Sequence, residues 1–377
     1  MTASASLRCL VNPRPGIPGL VTLPEGGWRR ARATITAWAD YAPAPLIGLP
    51  DLAAAHGLAT LHWKDEERRA GTGGAEAPGA AYAAQRLLSA ELARRGVARA
   101  AEAAELESGR LAEATRGMTL ASGPDAAFAL AVGAAARRFH ARCVALLPPG
   151  GPDGWSEALA RQGAEIREWP GGSVVSAAGE AVRRAEAEGW LFLSDRSWPG
   201  QTEAARDVMQ GCRLAAEEAL SGLPGPPSHV FVPGGSGALA TAVAVQSRRL
   251  GGAAPRLVVV EAEGRGGLMA EAARSWTTSG EGRGGAKESM ALLAWGELER
   301  SAFACLAVPP EAAAEAGRRL PARSGGAIQA GERGGVVLAG LLLAARDPVV
   351  RPALGLDAGS RVLAFGAGAP LAGVAMD

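Results

Sequence analysis

This sequence predicts an α/β protein with mainly parallel sheets covered by helices, and three observations carry that prediction. Strand-like apolar runs alternate with Ala- and Leu-rich helical segments along most of the chain, the pattern of parallel strands joined by crossover helices. At 377 residues the chain can bury a large core, divided into two domains or two lobes sharing one cleft. A glycine cluster, Gly234-Gly235-Ser236-Gly237-Ala238, stands where a strand-like run gives way to a helical one, a turn whose free N–H groups can receive an anion.

The elements follow in order. Pro13, Pro15 and Pro18 keep the first stretch extended as an arm leading into a helix near Trp28 and Trp38. A Pro-punctuated loop from Tyr41 precedes a short helix near 52–56 and a strand over 58–63. Beyond the glycines at 71–74, a long helix is predicted over 79–95. Strands at 119–121 and 143–147 flank an Ala-rich helix at 126–139, and 191–193 is a third short strand. A helix at 208–220, a strand at 229–232, the glycine turn, a helix to about 249 and a strong strand at 256–260 complete the alternation. There is no convincing internal repeat, and the Gly/Arg-rich run 280–285 reads as a mobile loop.

Composition excludes several functions. With 48% apolar residues, 20% charged residues and a formal net charge of +1, nothing recruits nucleic acid or an anionic membrane. The basic residues are nearly all arginine, with lysine only at Lys64 and Lys287, so a cluster such as Arg137-Arg138 reads as a solvated face. Cys9, Cys143, Cys212 and Cys305 are widely spaced, which predicts neither a zinc site nor a redox pair. No apolar run suits a signal peptide or a membrane span, and a reduced, cytoplasmic protein is expected.

The glycine turn has rivals to its reading as a phosphate cradle. A tight strand-to-helix turn needs glycine for structural reasons alone. No lysine follows it in P-loop fashion, and Ala238-Leu239-Ala240 breaks the dinucleotide fingerprint. Ser236 loosely resembles a nucleophile elbow, but Ala238 occupies the last glycine position, and none of His56, His62, His140 and His229 has an evident triad partner.

Several segments together resemble the diaminopropionate ammonia-lyases, which belong to the tryptophan-synthase-β-like, fold type II pyridoxal-phosphate (PLP) enzymes. The resemblance runs from about residue 40 to the carboxyl terminus with its order preserved. It includes Lys64-Asp65-Glu66, Gly79 to Ala83, Val208-Met209-Gln210-Gly211, Val259-Val260-Glu261, Ser289-Met290-Ala291 and Gly331-Glu332. Most specific is Ser194-Asp195-Arg196-Ser197-Trp198-Pro199-Gly200, similar to the family's aspartate-threonine-x-tryptophan-x-glycine signature. The resemblance implies a homodimer of two-lobed subunits, each lobe a mainly parallel sheet covered by helices. Residues 1–86 and 203–377 would form the large cofactor lobe, with 87–202 as the small lobe closing over substrate. It also implies PLP as cofactor and a small amino-acid-like or phosphate-bearing ligand, with neither nucleic acid nor membrane as partner.

Against that pattern, Glu76 stands where the family carries its Schiff-base lysine, and a carboxylate cannot condense with an aldehyde. Lys64 matches a different family lysine and reads as a salt-bridged structural residue; Lys287 lies in a loop before Met290. The family's aspartate-glycine-asparagine-histidine-glycine segment becomes Ser122-Gly123-Pro124-Asp125-Ala126, a degenerate cofactor contact, and its threonine-glutamate-glycine segment becomes Gly366-Ala367-Gly368. Asp195 persists, read either as a proton-transfer group or as a cap on the turn after its strand. Three readings stay open. The chain has lost Schiff-base catalysis and binds a ligand as a regulatory or partner subunit; or it is an enzyme of altered chemistry using Glu76, Asp125 and Asp195 around a phosphate-bearing or carboxylate ligand held at Gly234 to Gly237; or it is a PLP-dependent ammonia-lyase with an unrecognised lysine.

Overall fold

The computed structural model describes residues 7–69, 74–149, 154–168, 174–249, 254–264, 267–277, 291–323 and 332–367. Eleven strands lie among them: β1 (Arg8–Val11), β2 (Leu46–Gly48), β3 (Thr60–Asp65), β4 (Thr119–Ser122), β5 (Arg142–Leu147), β6 (Ala164–Glu168), β7 (Leu191–Phe192), β8 (His229–Pro233), β9 (Arg256–Ala262), β10 (Ala302–Val308) and β11 (Arg361–Gly366). They form a seven-stranded sheet in the order β1-β10-β9-β8-β11-β3-β2 and a four-stranded sheet in the order β6-β5-β4-β7. All pairings are parallel except the two edges of the larger sheet, where β1 joins β10 and β2 joins β3 antiparallel. The predicted α/β class is the one observed.

By contact density the chain forms two compact units. One contains the first 23 residues, Pro43–Arg69 and Arg213–Gly368; the other contains Pro24–Ala42 and Ala70–Cys212. The division at 86 and 203 is drawn by expected role, whereas these boundaries follow contacts.

In the first unit the strands are continuous apolar runs, as burial on both faces requires: β8 is buried along its whole length, and β9 is buried from Leu257 to Glu261. Its core joins Trp63, Phe231, Val258, Val260, Leu306 and Val362 to Val337 and Leu341 of the helix Glu332–Arg346. Gly340 lets that helix lie close to β9, since a Cβ there would meet Val260 Cγ1 at 2.5 Å. In the second unit, Ala121, Val144, Leu146, Ala181 and Ala185 form the core between the small sheet and the helix Val174–Ala187. There the helices Ala77–Arg94 and Glu203–Gly222 cross at two glycines: a Cβ on Gly79 would lie 2.3 Å from the Val208 carbonyl oxygen, and one on Gly211 would lie 2.3 Å from the Gly79 Cα.

The predicted helices and strands from residue 50 to 260 appear with ends shifted by a few residues. The amino-terminal arm contains a short strand, β1, because Arg8–Val11 pairs with Ala304–Ala307 of β10. No helix of the described residues is long and apolar enough to cross a membrane. The predicted loop at 280–285 and Lys287 fall outside the described residues.

Candidate functional site

In the first unit, the glycine turn leaves the carboxyl end of β8 and opens the helix Ala238–Ser247, the end of a parallel sheet at which ligands characteristically bind. Gly235 and Gly237 have φ of 53° and 84°, left-handed backbone that disfavours any residue with a Cβ. The turn is closed by hydrogen bonds from Gly234 N to Val260 O at 2.8 Å and from Gly237 N to Gly234 O at 2.7 Å. Gly234 and Gly237 are also packed, because a Cβ would meet Glu261 Cγ at 2.3 Å or Ala294 Cβ at 2.5 Å. A Cβ at Gly235 would meet nothing within 4 Å, so backbone here faces space that a ligand can enter. Ser236 is buried and its Oγ accepts the Ala238 N–H at 3.3 Å. His229 is held by Leu354 O and Ser228 Oγ, and burial lowers its pKa; neither partner is the hydroxyl of Ser236.

Glu261 braces this turn. Its buried carboxylate accepts the N–H groups of Leu268 at 3.3 Å and Met269 at 2.9 Å, satisfying first-turn donors of the helix Leu268–Thr277.

At the carboxyl end of β3 lies a buried ion network. Lys64 Nζ donates to Glu218 Oε2 at 2.5 Å and to Ala44 O at 2.7 Å, with Glu66 at 3.6 Å. Arg69 binds both oxygens of Glu66, at 2.6 and 2.9 Å, and both of Glu218, at 3.1 and 2.7 Å. Burial pushes the Glu218 carboxyl up, but the hydrogen bonds and charge of Arg69, with Lys64, outweigh it and leave the group below its ordinary range. Next to the network, Asp65 is fully buried. Burial pushes it up to about 6, opposed by Arg68 and reinforced by Glu66. Asp65 pairs in register with Gly366 of β11, and the next residue, Ala367, is buried and offers no polar side chain.

In the second unit, Glu76 is the residue immediately before the helix Ala77–Arg94, and its carbonyl accepts the Ala80 N–H at 2.8 Å. Ser122 ends β4, fully buried, with no partner for its Oγ. Gly123 is fixed by crowding, since a Cβ would meet Leu146 O at 2.1 Å. Asp125 caps the helix Ala126–Arg138 by accepting the Phe128 N–H at 3.0 Å, so its carboxylate has a structural task. Asp195, 3% exposed, follows β7. Since β7 pairs parallel with β4 (Ala121 opposite Phe192) and Leu193 N donates to Ala121 O at 2.9 Å, Ser122 and Asp195 emerge at the carboxyl ends of neighbouring strands. Glu76 and the segment Ser122 to Asp125 thus sit at the starts of two helices of this unit that pack on each other.

A sequence model of the pyridoxal-phosphate-dependent enzymes matches residues 38–354. The chain belongs to that family. Among its relatives is the diaminopropionate ammonia-lyase of Escherichia coli strain K12, 29% identical over 211 residues, which cover 54% of this chain and 50% of the relative. That of Salmonella typhimurium strain LT2 is 28% identical over 210 residues, 54% and 51% of the two chains. The match therefore spans about half the length of these relatives. The crystal structure of the Escherichia coli diaminopropionate ammonia-lyase in complex with D-serine superposes with a TM-score of 0.82 at 22% identity, over 97% of this chain and 95% of that one. Maize serine racemase gives 0.67 at 16% identity, over 94% and 95%. These likenesses establish the fold, two mainly parallel sheets covered by helices as in fold type II PLP enzymes.

The family uses PLP, and the described residues fit only part of that cofactor. The left-handed backbone of the turn, open at Gly235, suits a phosphate. The aldehyde end finds no partner of the right chemistry among the described residues: the lysine they contain, Lys64, is locked to Glu218. Glu261, Asp65 and Arg196 lie in segments that carry the resemblance but are not among the site residues expected from the sequence. Arg196 had a sequence signal, since it occupies the threonine position of the signature that contains Asp195; Asp65 and Glu261 gain their significance only from distant neighbours.

Proposed function

We propose that this chain is a diaminopropionate ammonia-lyase-like pseudoenzyme, a family member that has lost Schiff-base catalysis and binds an amino-acid-like ligand as a regulatory or partner subunit, in a homodimer. The observation that carries the reading is the fate of Lys64. Its ammonium is buried and bonded to Glu218 and Ala44 O, whereas an imine needs an accessible amine free to attack an aldehyde. The resemblance adds that Glu76 occupies the family's lysine position.

The remaining groups support binding. Backbone N–H groups of the glycine turn receive an anion, while Glu261 packs against Gly234 and caps the helix Leu268–Thr277. In the other unit, Ser122 offers a hydroxyl and Asp195 a carboxylate at adjoining strand ends. Among the described residues none suits the aldehyde end of the cofactor, since their lysine, Lys64, is engaged by Glu218.

The test is an absorption spectrum of the purified protein with added PLP, before and after borohydride, together with thermal shifts in PLP and in diaminopropionate. The expected result is ligand-dependent stabilisation without a reducible aldimine band. A reducible band that disappears in Lys287→Ala overturns the reading in favour of a working ammonia-lyase.

A second reading, an enzyme of altered chemistry, is favoured by one observation: Asp195 is a buried carboxylate just past β7, the strand that pairs with the one Ser122 ends. Turnover of an amino acid abolished by both Glu76→Gln and Asp195→Asn would support it. Asp125 has no part in this version, being the cap of its helix.

A further inference from the structure

Both packed ends of the glycine turn rest on one pair of residues. At Gly234 a Cβ would meet Glu261 Cγ at 2.3 Å and Oε1 at 2.5 Å; at Gly237 it would meet Leu268 Cδ1 at 3.4 Å and Cδ2 at 3.6 Å, besides Ala294. Glu261 and Leu268 are themselves joined. The Glu261 carboxylate accepts the Leu268 N–H through Oε1 at 3.3 Å and the Met269 N–H through Oε2 at 2.9 Å. The backbone closes the circle, because Gly234 N donates to the carbonyl of Val260, the residue before Glu261, and Gly237 N donates to Gly234 O. Glu261 and Leu268 are 5% and 1% exposed, so the support beneath the turn is packed, whereas Gly235 is open.

The charge of Glu261 is compatible with an anion in the turn. Its two oxygens face the amino terminus of the helix Leu268–Thr277, whose N–H groups and dipole offset a negative charge. Gly234 and Gly237 have no side chains of their own to fix their backbone, so the groups packed against them decide where its N–H donors lie. Donors bind an anion well only when their directions are set beforehand by such a supporting layer.

We propose that Glu261 is the positioning residue of the anion site. It touches no ligand, but its carboxylate ties the start of the helix Leu268–Thr277 to the floor of the glycine turn and so sets the affinity for a phosphate-bearing ligand. This rests on the ligand-binding reading above and names the group that controls that site.

Calorimetric titration of the full chain with inorganic phosphate, pyridoxine 5′-phosphate and pyridoxine tests this; none of the three has an aldehyde, so Schiff-base chemistry does not enter. Wild type is expected to prefer pyridoxine 5′-phosphate to pyridoxine by about tenfold or more. Glu261→Ala is expected to lose about tenfold in affinity for pyridoxine 5′-phosphate and for phosphate, with pyridoxine unchanged. Glu261→Gln, which keeps the bulk against Gly234 and one accepting oxygen, is expected to stay within about threefold of wild type. Leu268→Ala withdraws the support from Gly237 and keeps the N–H; a several-fold loss for phosphate and pyridoxine 5′-phosphate alone is expected, and it decides the matter if Glu261→Ala folds poorly. Phosphate preference unchanged in both Glu261→Ala and Leu268→Ala, an equal loss for pyridoxine and its phosphate, or tighter phosphate binding in Glu261→Gln, the sign of plain charge repulsion, would overturn the proposal. A wild type without preference for the phosphorylated form overturns anion binding at the turn as well, so the two failures are distinguishable.

Discussion

Lys64 Nζ and Glu218 Oε2 lie 2.5 Å apart although 154 residues separate them in sequence. Their side chains are 1% and 7% exposed, so each charge depends on the other and on Glu66 and Arg69. Removing one partner leaves a buried ion uncompensated, which costs about 3–5 kcal/mol. Glu218→Gln is therefore expected to lower urea-unfolding stability by that order. The double variant Glu218→Gln/Lys64→Met should recover part of it, because no lysine charge is left stranded.

Asp65 makes stability depend on pH in a definite direction. Burial raises its pKa from 3.8 to about 6, so the native state binds this proton more tightly than the unfolded chain. The contribution of Asp65 to stability is then most favourable below about pH 4 and falls as pH rises to about 6, reaching a cost of about 3 kcal/mol at most. Asp65→Asn should be more stable than wild type at pH 7, with the difference vanishing toward pH 4. Denaturation midpoints across that range check it; parallel curves would contradict it.

The crossing of helices Ala77–Arg94 and Glu203–Gly222 sets the start of the first helix, where Glu76 stands. Gly211→Ala places a Cβ 2.3 Å from the Gly79 Cα, a backbone contact that only separation of the helices relieves. A loss of about 1–3 kcal/mol is expected in thermal or chemical unfolding.

Asp125 separates a capping role from an acid-base role. Asp125→Ala is expected to cost about 1 kcal/mol, while Asp125→Asn, which also caps, retains most of that stability. An acid-base function would instead be lost equally in both variants, as measured by turnover.

Much of this was legible in the sequence where the relevant signal is local. The run His229 to Val232 followed by glycines predicts strand, turn and helix because each depends on a few adjacent residues, and the structure has all three. Asp125 directly before an Ala-rich helix carried a cap signal, though its place in the degenerate cofactor segment drew attention to chemistry. What escaped is non-local. β1 pairs with a strand nearly 300 residues later, and its prolines at 13, 15 and 18 suggest only an extended arm. Lys64 reads from its sequence context as a salt-bridged structural residue, as observed, but its partner Glu218 stands 154 residues away, and Ser122 gains its significance from the absence of a partner, which no motif encodes.

On the proposed reading, neither Lys64 nor Lys287 forms an imine with PLP. Intact-protein mass spectrometry after incubation with PLP and borohydride reduction measures that directly, with peptide mapping to locate any adduct. The expected result is an unchanged mass at PLP concentrations that produce a thermal shift. A stoichiometric pyridoxyl adduct on Lys287 or Lys64 would contradict the account and return the protein to the working lyases.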